Sequence, residues 1–200
     1  MRVTGSSGFR AVLLVSLLLV QVTALGIHST DELESKTNPM MTNNTLTDNG
    51  DGTWNVTYAV DMDATLDSRS PTNPLGSTSY LEVGWNANQQ DIRNSLLGFD
   101  LSSAGFPLNA TIESATLQVH LASSTGSVDT QAWNIHLQGW EIQYASWVNR
   151  NGASQWYQGG ALGNSDSGAK QDQQRVEGNS GEVRFDICLL YTSPSPRDRG

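Results

Sequence analysis

The chain has 200 residues, with 11 basic against 20 acidic side chains and a net charge of -9, which argues against nucleic acid or an anionic membrane surface as a partner. A single cysteine excludes an internal disulfide framework. Only 16% of residues are charged, below the roughly 25% usual in soluble domains, so the polarity comes from Ser, Thr, Asn, Gln and 19 glycines, a mix suited to strands and turns.

Residues 1–24 have the order of an export signal: Met1-Arg2 and Arg10, an apolar run over 11–20 too short to span a bilayer, then Val22 and Ala24 at the -3 and -1 positions. Cleavage is expected after Ala24. The alternative is an uncleaved amino-terminal anchor, and either reading exports the rest of the chain. Residues 25–50 are rich in Thr, Asn and Met without a sustained period and read as a flexible tether. The domain proper is expected over 51–187.

Asp48-Asn-Gly-Asp-Gly52 is a turn cluster, and a hairpin through Asn-Gly and Asp-Gly explains it. It starts like a calcium loop but lacks the distal bidentate Glu. After it Trp54, Val56, Tyr58 and Val60 alternate with polar residues, the signature of a strand with one buried face. Leu81 with Val83, and Leu97 with Phe99, form the next inward pairs. Ala115, Leu117, Val119 and Leu121 follow, then Trp133, Ile135 and Leu137, then Val183, Phe185 and Ile187. Loop punctuation separates them at 70–74, 105–107 and 152. No helical period persists over three turns, so the expected fold is an all-β antiparallel sandwich.

The final segment is of another kind. Cys188-Leu-Leu-Tyr-Thr-Ser-Pro-Ser-Pro-Arg-Asp198 resembles a translated transposase-type sequencing adapter over eleven consecutive residues. Residues 188–200 are therefore expected to be an assembly artefact, and a Pro/Ser-rich linker is the alternative. Without the two ends, residues 25–187 keep seven basic and 19 acidic side chains, a net -12, and no cysteine.

Several motifs in the middle of the chain recur together in one known family. Asp63-Ala-Thr-Leu-Asp67, Ser70-Pro-Thr-Asn73 and Gly76 are followed by Arg93-Asn-Ser-Leu-Leu-Gly-Phe-Asp-Leu-Ser102 and Ala110-Thr-Ile-Glu-Ser-Ala-Thr-Leu117. Trp140-Glu141, Ser146-Trp147, Asn149, Trp156 and Gly159-Gly160 come next, then Glu182-Val-Arg-Phe-Asp-Ile187. Over residues 58–187 this order resembles the DNRLRE domain, also classed as carbohydrate-binding module family 96. The chain departs from that pattern at Gly98, where the family carries Arg, and at Ser146, where it carries Thr. The resemblance implies a jelly-roll sandwich, secreted or on the cell surface, that binds polysaccharide and accompanies further domains of a longer chain. On this reading the closing strand is interrupted after Ile187.

Sugar-binding modules use aromatic faces because pyranose C–H groups pack on π-electrons, while neighbouring polar groups select the hydroxyls. Trp54 and Trp133 lie in phase with inward residues and are expected in the core, and Trp140 and Trp147 match structural positions of the family. Trp85, Trp156 and Tyr157 remain as stacking candidates, with a lid over the core as the competing role for each. His120 and His136 fall on the polar phase of their strands and would share a face if those strands pair; a solvated face is the simpler account, and a sugar-contacting His136 the functional one. Asp61, Asp63 and Asp67 form an acidic run in which calcium could sit, the one cofactor the sequence suggests, against a solvated strand and turn. The acceptor triplets at Asn43, Asn55 and Asn109 read as incidental.

No nucleophile elbow, ordered triad or phosphate loop is present in the sequence. The expected function is a non-catalytic, secreted or cell-surface carbohydrate-binding module. A structural or adhesion module without a sugar ligand is the alternative, and a polysaccharide lyase or hydrolase the third. Re-mapping the source reads across the 187/188 junction is expected to show genomic sequence diverging after Ile187; coding sequence running unbroken into Cys188 would refute the adapter reading.

Overall fold

The computed structural model describes residues 1–6, 10–14, 20–25, 45–76, 78–86, 91–99, 111–137, 139–178 and 181–188. Among these residues the chain is all-β and antiparallel, without an α-helix, in keeping with a β-sandwich.

The first carboxyl-ward hairpin forms where the turn cluster predicts it. β4 (Thr45–Asp48) meets β5 (Thr53–Tyr58) across a turn in which Asp48 Oδ1 accepts from Gly50 N and Asp51 Oδ1 from Thr53 N. Gly50 and Gly52 have φ of 78° and 89°, left-handed values that disfavour a side chain. Trp54, Val56 and Tyr58 are buried as their alternation requires. β4 corrects the tether boundary: its four residues are exposed, so no buried face marked it in the sequence. Tether residues 26–44 lie outside the described residues, as do 189–200 and the loop at 105–107.

Next come β6 (Met62–Asp67), β7 (Leu81–Asn86) and β8 (Asp91–Gly98), with β8 paired to both others. Then follow β9 (Thr111–Ser124), β10 (Val128–Ile135), β11 (Ser167–Val176) and β12 (Gly181–Asp186). The amino-terminal segment supplies β1 (Arg2–Ser6), β2 (Arg10–Leu14) and β3 (Val20–Leu25). The strand order is β11-β10-β1-β8-β7-β2-β9-β3-β5-β4, with β12 added to β9 and β6 to β8. The residues read as an export signal thus fill three interior positions of the order.

β9 and β10 follow each other directly but do not pair. β9 takes β2, β3 and β12 as neighbours, and β10 takes β1 and β11. The shared face proposed for His120 and His136 therefore does not form. Within β10 the pairing register shifts between Ala132 and Trp133. Val128, Thr130 and Ala132 are buried before the shift and Ile135 after it, because a bulge inverts the inward phase. Trp133, expected in the core, is half-buried, with its Nε1 donating to Gln131 Oε1.

Two cores result. The larger holds Tyr58, Leu81, Val83, Leu97, Leu117, Phe185 and Ile187, with Ala115, Val119 and Leu121 from the long alternating strand. The smaller gathers Ala64, Leu66, Leu96, Ile135, Trp140, Ala145, Trp156 and Ala161. Leu96 and Leu97 are successive on β8, so their side chains leave opposite faces, and each enters a different core. Leu96→Ala and Leu97→Ala are each expected to cost about 2–5 kcal/mol in urea unfolding. A near-neutral value for either would show that its face of β8 is solvated.

Candidate functional site

The smaller core is roofed by the irregular segment 139–166, which contributes Trp140, Ala145, Trp156 and Ala161 to it. Ser146 fixes one turn: Ser146 N donates to Asn149 O, and Asn149 N to Ser146 Oγ. Trp156 Nε1 donates to Ser146 O, Val148 N to Pro71 O, and Asn94 Nδ2 to Gly160 O. Gly159 and Gly160 run across the Trp147 indole so closely that a Cβ would stand 2.3 Å and 2.5 Å from ring atoms. At Gly76 a Cβ would stand 2.4 Å from Ile142. At Gly98 a Cβ would stand 3.0 Å from Met62 and 3.1 Å from Trp140. Backbone approach, not chemistry, selects these glycines.

Arg93 anchors the neighbouring strands. Its guanidinium bonds Asp67 at 2.8 Å, ion-pairs with Glu82, and lies 3.8 Å from Asp91, so three carboxylates of β6, β7 and β8 surround one cation. With side chains this little exposed the cluster is a structural clasp, since a partly buried charge needs paired partners.

Asp166 organises the surface above. Its carboxylate is buried and accepts from the backbone N–H groups of Tyr157 at 2.8 Å, Gln158 at 2.9 Å and Gly163 at 3.0 Å. Its backbone carbonyl accepts from His136 N at 2.9 Å. Tyr157, Gln158 and His136 are thereby held around one residue that sequence reasoning did not single out. An isolated Asp in a Ser/Gly-rich stretch carries no period or motif that would mark it.

The four aromatic and histidine candidates fare differently. Tyr157 is 76% exposed and Trp85 38% exposed, so both offer faces to solvent. Trp85 stands on β7 opposite Ile92. His136 is exposed, with its ring against Gly168. Trp156 is corrected: only 6% exposed, with its indole N–H bonded to Ser146 O, it is a core side chain and not a stacking platform.

The acidic run is likewise divided. Asp67 serves Arg93 and accepts from Arg69 N, whereas Asp61 is exposed before the strand begins. Asp63 and Asp67 are four residues apart on an extended strand, about 13 Å, too far to share an ion. Among the described residues no group of three or more His, Cys, Asp or Glu is placed to hold a metal. A cleft of about 350 Å³ beside β8 is lined by Met62, Leu97, Phe99, Trp140 and Ile187, with Asn134 among them.

Burial pushes the Asp63 carboxyl above its ordinary range. A folded-state pKa above the unfolded one means the folded chain binds the proton more tightly, so stability falls as pH rises through that interval. Asp63→Asn is expected to be more stable than the parent at neutral pH and equal to it in acid below the unfolded-state value. A pH series of melting temperatures checks this, and curves that stay parallel would refute it. Comparison of the chain with protein-family models, curated proteins and solved structures finds no match.

Proposed function

We propose that the chain is a non-catalytic carbohydrate-binding module of the DNRLRE type, with a jelly-roll sandwich, exported as part of a longer surface or secreted protein. The observation that carries this reading is the exposed Tyr157 ring on a backbone pinned by Asp166, with Gln158 and His136 held around the same residue. An exposed aromatic ring on a hydrogen-bonded backbone, followed in the chain by an exposed amide, suits a pyranose, because stacking supplies contact while the polar groups choose among hydroxyls. Trp85 offers a second aromatic face on β7. Such a module keeps the domains joined to it near a polysaccharide.

Affinity electrophoresis in polysaccharide gels tests the reading. The parent chain is expected to be retarded by at least one glycan, Tyr157→Ala to lose most of that retardation, and Trp85→Ala to lose part of it. Tyr157 is largely exposed, so Tyr157→Ala should unfold at the parent temperature, whereas Trp85→Ala loses a side chain that is more than half covered and should unfold somewhat lower. Mobility unchanged against every glycan for the parent itself would remove the hypothesis.

A further inference from the structure

Two Asn-Gly pairs occur in the chain, Asn49-Gly50 and Asn151-Gly152. In such a pair the glycine carries no Cβ to obstruct its amide nitrogen as it approaches the preceding side-chain carbonyl. The two pairs are alike in sequence and unlike in their surroundings. Asn49 and Gly50 are exposed in the turn between β4 and β5. Gly50 N donates to Asp48 Oδ1 at 2.8 Å, so the nitrogen that would attack already shares its proton with a carboxylate. Asn55 Nδ2 donates to Asn49 Oδ1 at 3.0 Å, on the oxygen where charge would collect during that attack. Asn49 Nδ2 donates to Thr53 Oγ1 at 2.7 Å, a hydroxyl able to pass a proton to a departing nitrogen.

Asn151 is held otherwise. Its Oδ1 accepts from Ala153 N at 3.0 Å and Ser154 N at 2.8 Å, and its Nδ2 donates to Gly139 O at 2.9 Å, a carbonyl with no proton to give. The Tyr144 ring lies over Gly152, 3.2 Å from where a Cβ would stand. Among the described residues no carboxylate accepts from Gly152 N.

We propose that Asn49 is a self-modification site, at which the hairpin turn converts its own asparagine to aspartyl and isoaspartyl forms. Asp48 takes the Gly50 amide proton and Gly50 N bonds to Asn49 Cγ. The bond from Cγ to Nδ2 breaks, and Nδ2 leaves as ammonia with that proton returned through Thr53 or water. A succinimide ring remains, and one water opens it. Cleavage between Cγ and Gly50 N restores the ordinary backbone with a carboxylate side chain. Cleavage between the Asn49 main-chain carbonyl carbon and Gly50 N routes the backbone through Cγ and lengthens it by a methylene. Water is the only reagent consumed, and nothing is oxidised or reduced.

Either product loosens β4. The new carboxylate cannot donate to Thr53 Oγ1, and in sequence it follows Asp48 and precedes Asp51. The longer backbone disturbs the pairing of Asp48 with Trp54 by which the hairpin begins. β4 is last in the strand order with β5 as its neighbour, so a weakened hairpin frees an edge strand. The turn acts as a one-way timer, whatever the surface elsewhere binds.

The test holds the full folded chain in neutral buffer for weeks and reads the peptides containing positions 49 and 151 by mass spectrometry, with fragmentation that separates aspartyl from isoaspartyl. Conversion at 49 is expected to run about tenfold or more ahead of 151, and Asp48→Asn, which keeps the acceptor oxygen without the base, to slow it by about tenfold. Asn55→Ala, which lies outside the turn, should slow it several-fold by removing the donor to Asn49 Oδ1. Position 151 in the same samples should keep the parent rate in both variants. Equal rates at 49 and 151, or conversion at 49 that neither variant slows, would overturn the proposal.

Discussion

Burial of β8 on both faces is the constraint on which the other features depend. A strand with one wet face needs only one partner layer. Because Leu96 and Leu97 both leave solvent, the layer containing β8 must be covered twice. One cover is the sheet layer carrying β5, β9 and β12. The other is built from the irregular segment 139–166, which has no ladder to satisfy its backbone and must find hydrogen bonds one by one.

That need explains the distribution of polar groups beneath the cap. Ser146, Asn94 and Asp166 are buried, and each bonds to a backbone atom of the cap. Arg93 draws carboxylates of three strands to one point, tying β6, β7 and β8 together beneath the cap. Removing the arginine would leave buried carboxylates facing each other, a loss of about 3–5 kcal/mol by the usual penalty for breaking such a cluster. The glycines at 76, 159 and 160 belong to the same economy of space, since each marks a backbone passing at contact distance over Ile142 or Trp147.

Much of the sheet was legible in the sequence because alternation reports burial on one face. β5, β7 and β9 show it, and their inward residues are the buried ones. β4 and β11 carried almost no such signal: β4 buries nothing, and β11 buries only its two ends, Ser167 and Val176. β6 was hidden for a different reason, because its aspartates suggested an ion site while Met62, Ala64 and Leu66 faced a core. The bulge in β10 misplaced Trp133, for a sequence period cannot announce its own inversion. Trp156 and Tyr157 show the same limit at the candidate site: two adjacent aromatics in a loop give no clue which one faces inward.

The Asp166 carboxylate holds positions 157 and 158 by their backbone N–H groups and makes no use of their side chains. The place of these residues and their chemical identity are therefore set independently. Substitution at 157 or 158 can change the chemistry of the exposed surface while leaving the backbone that carries it unaltered. Side chains at these two positions can therefore vary without first having to recover lost stability.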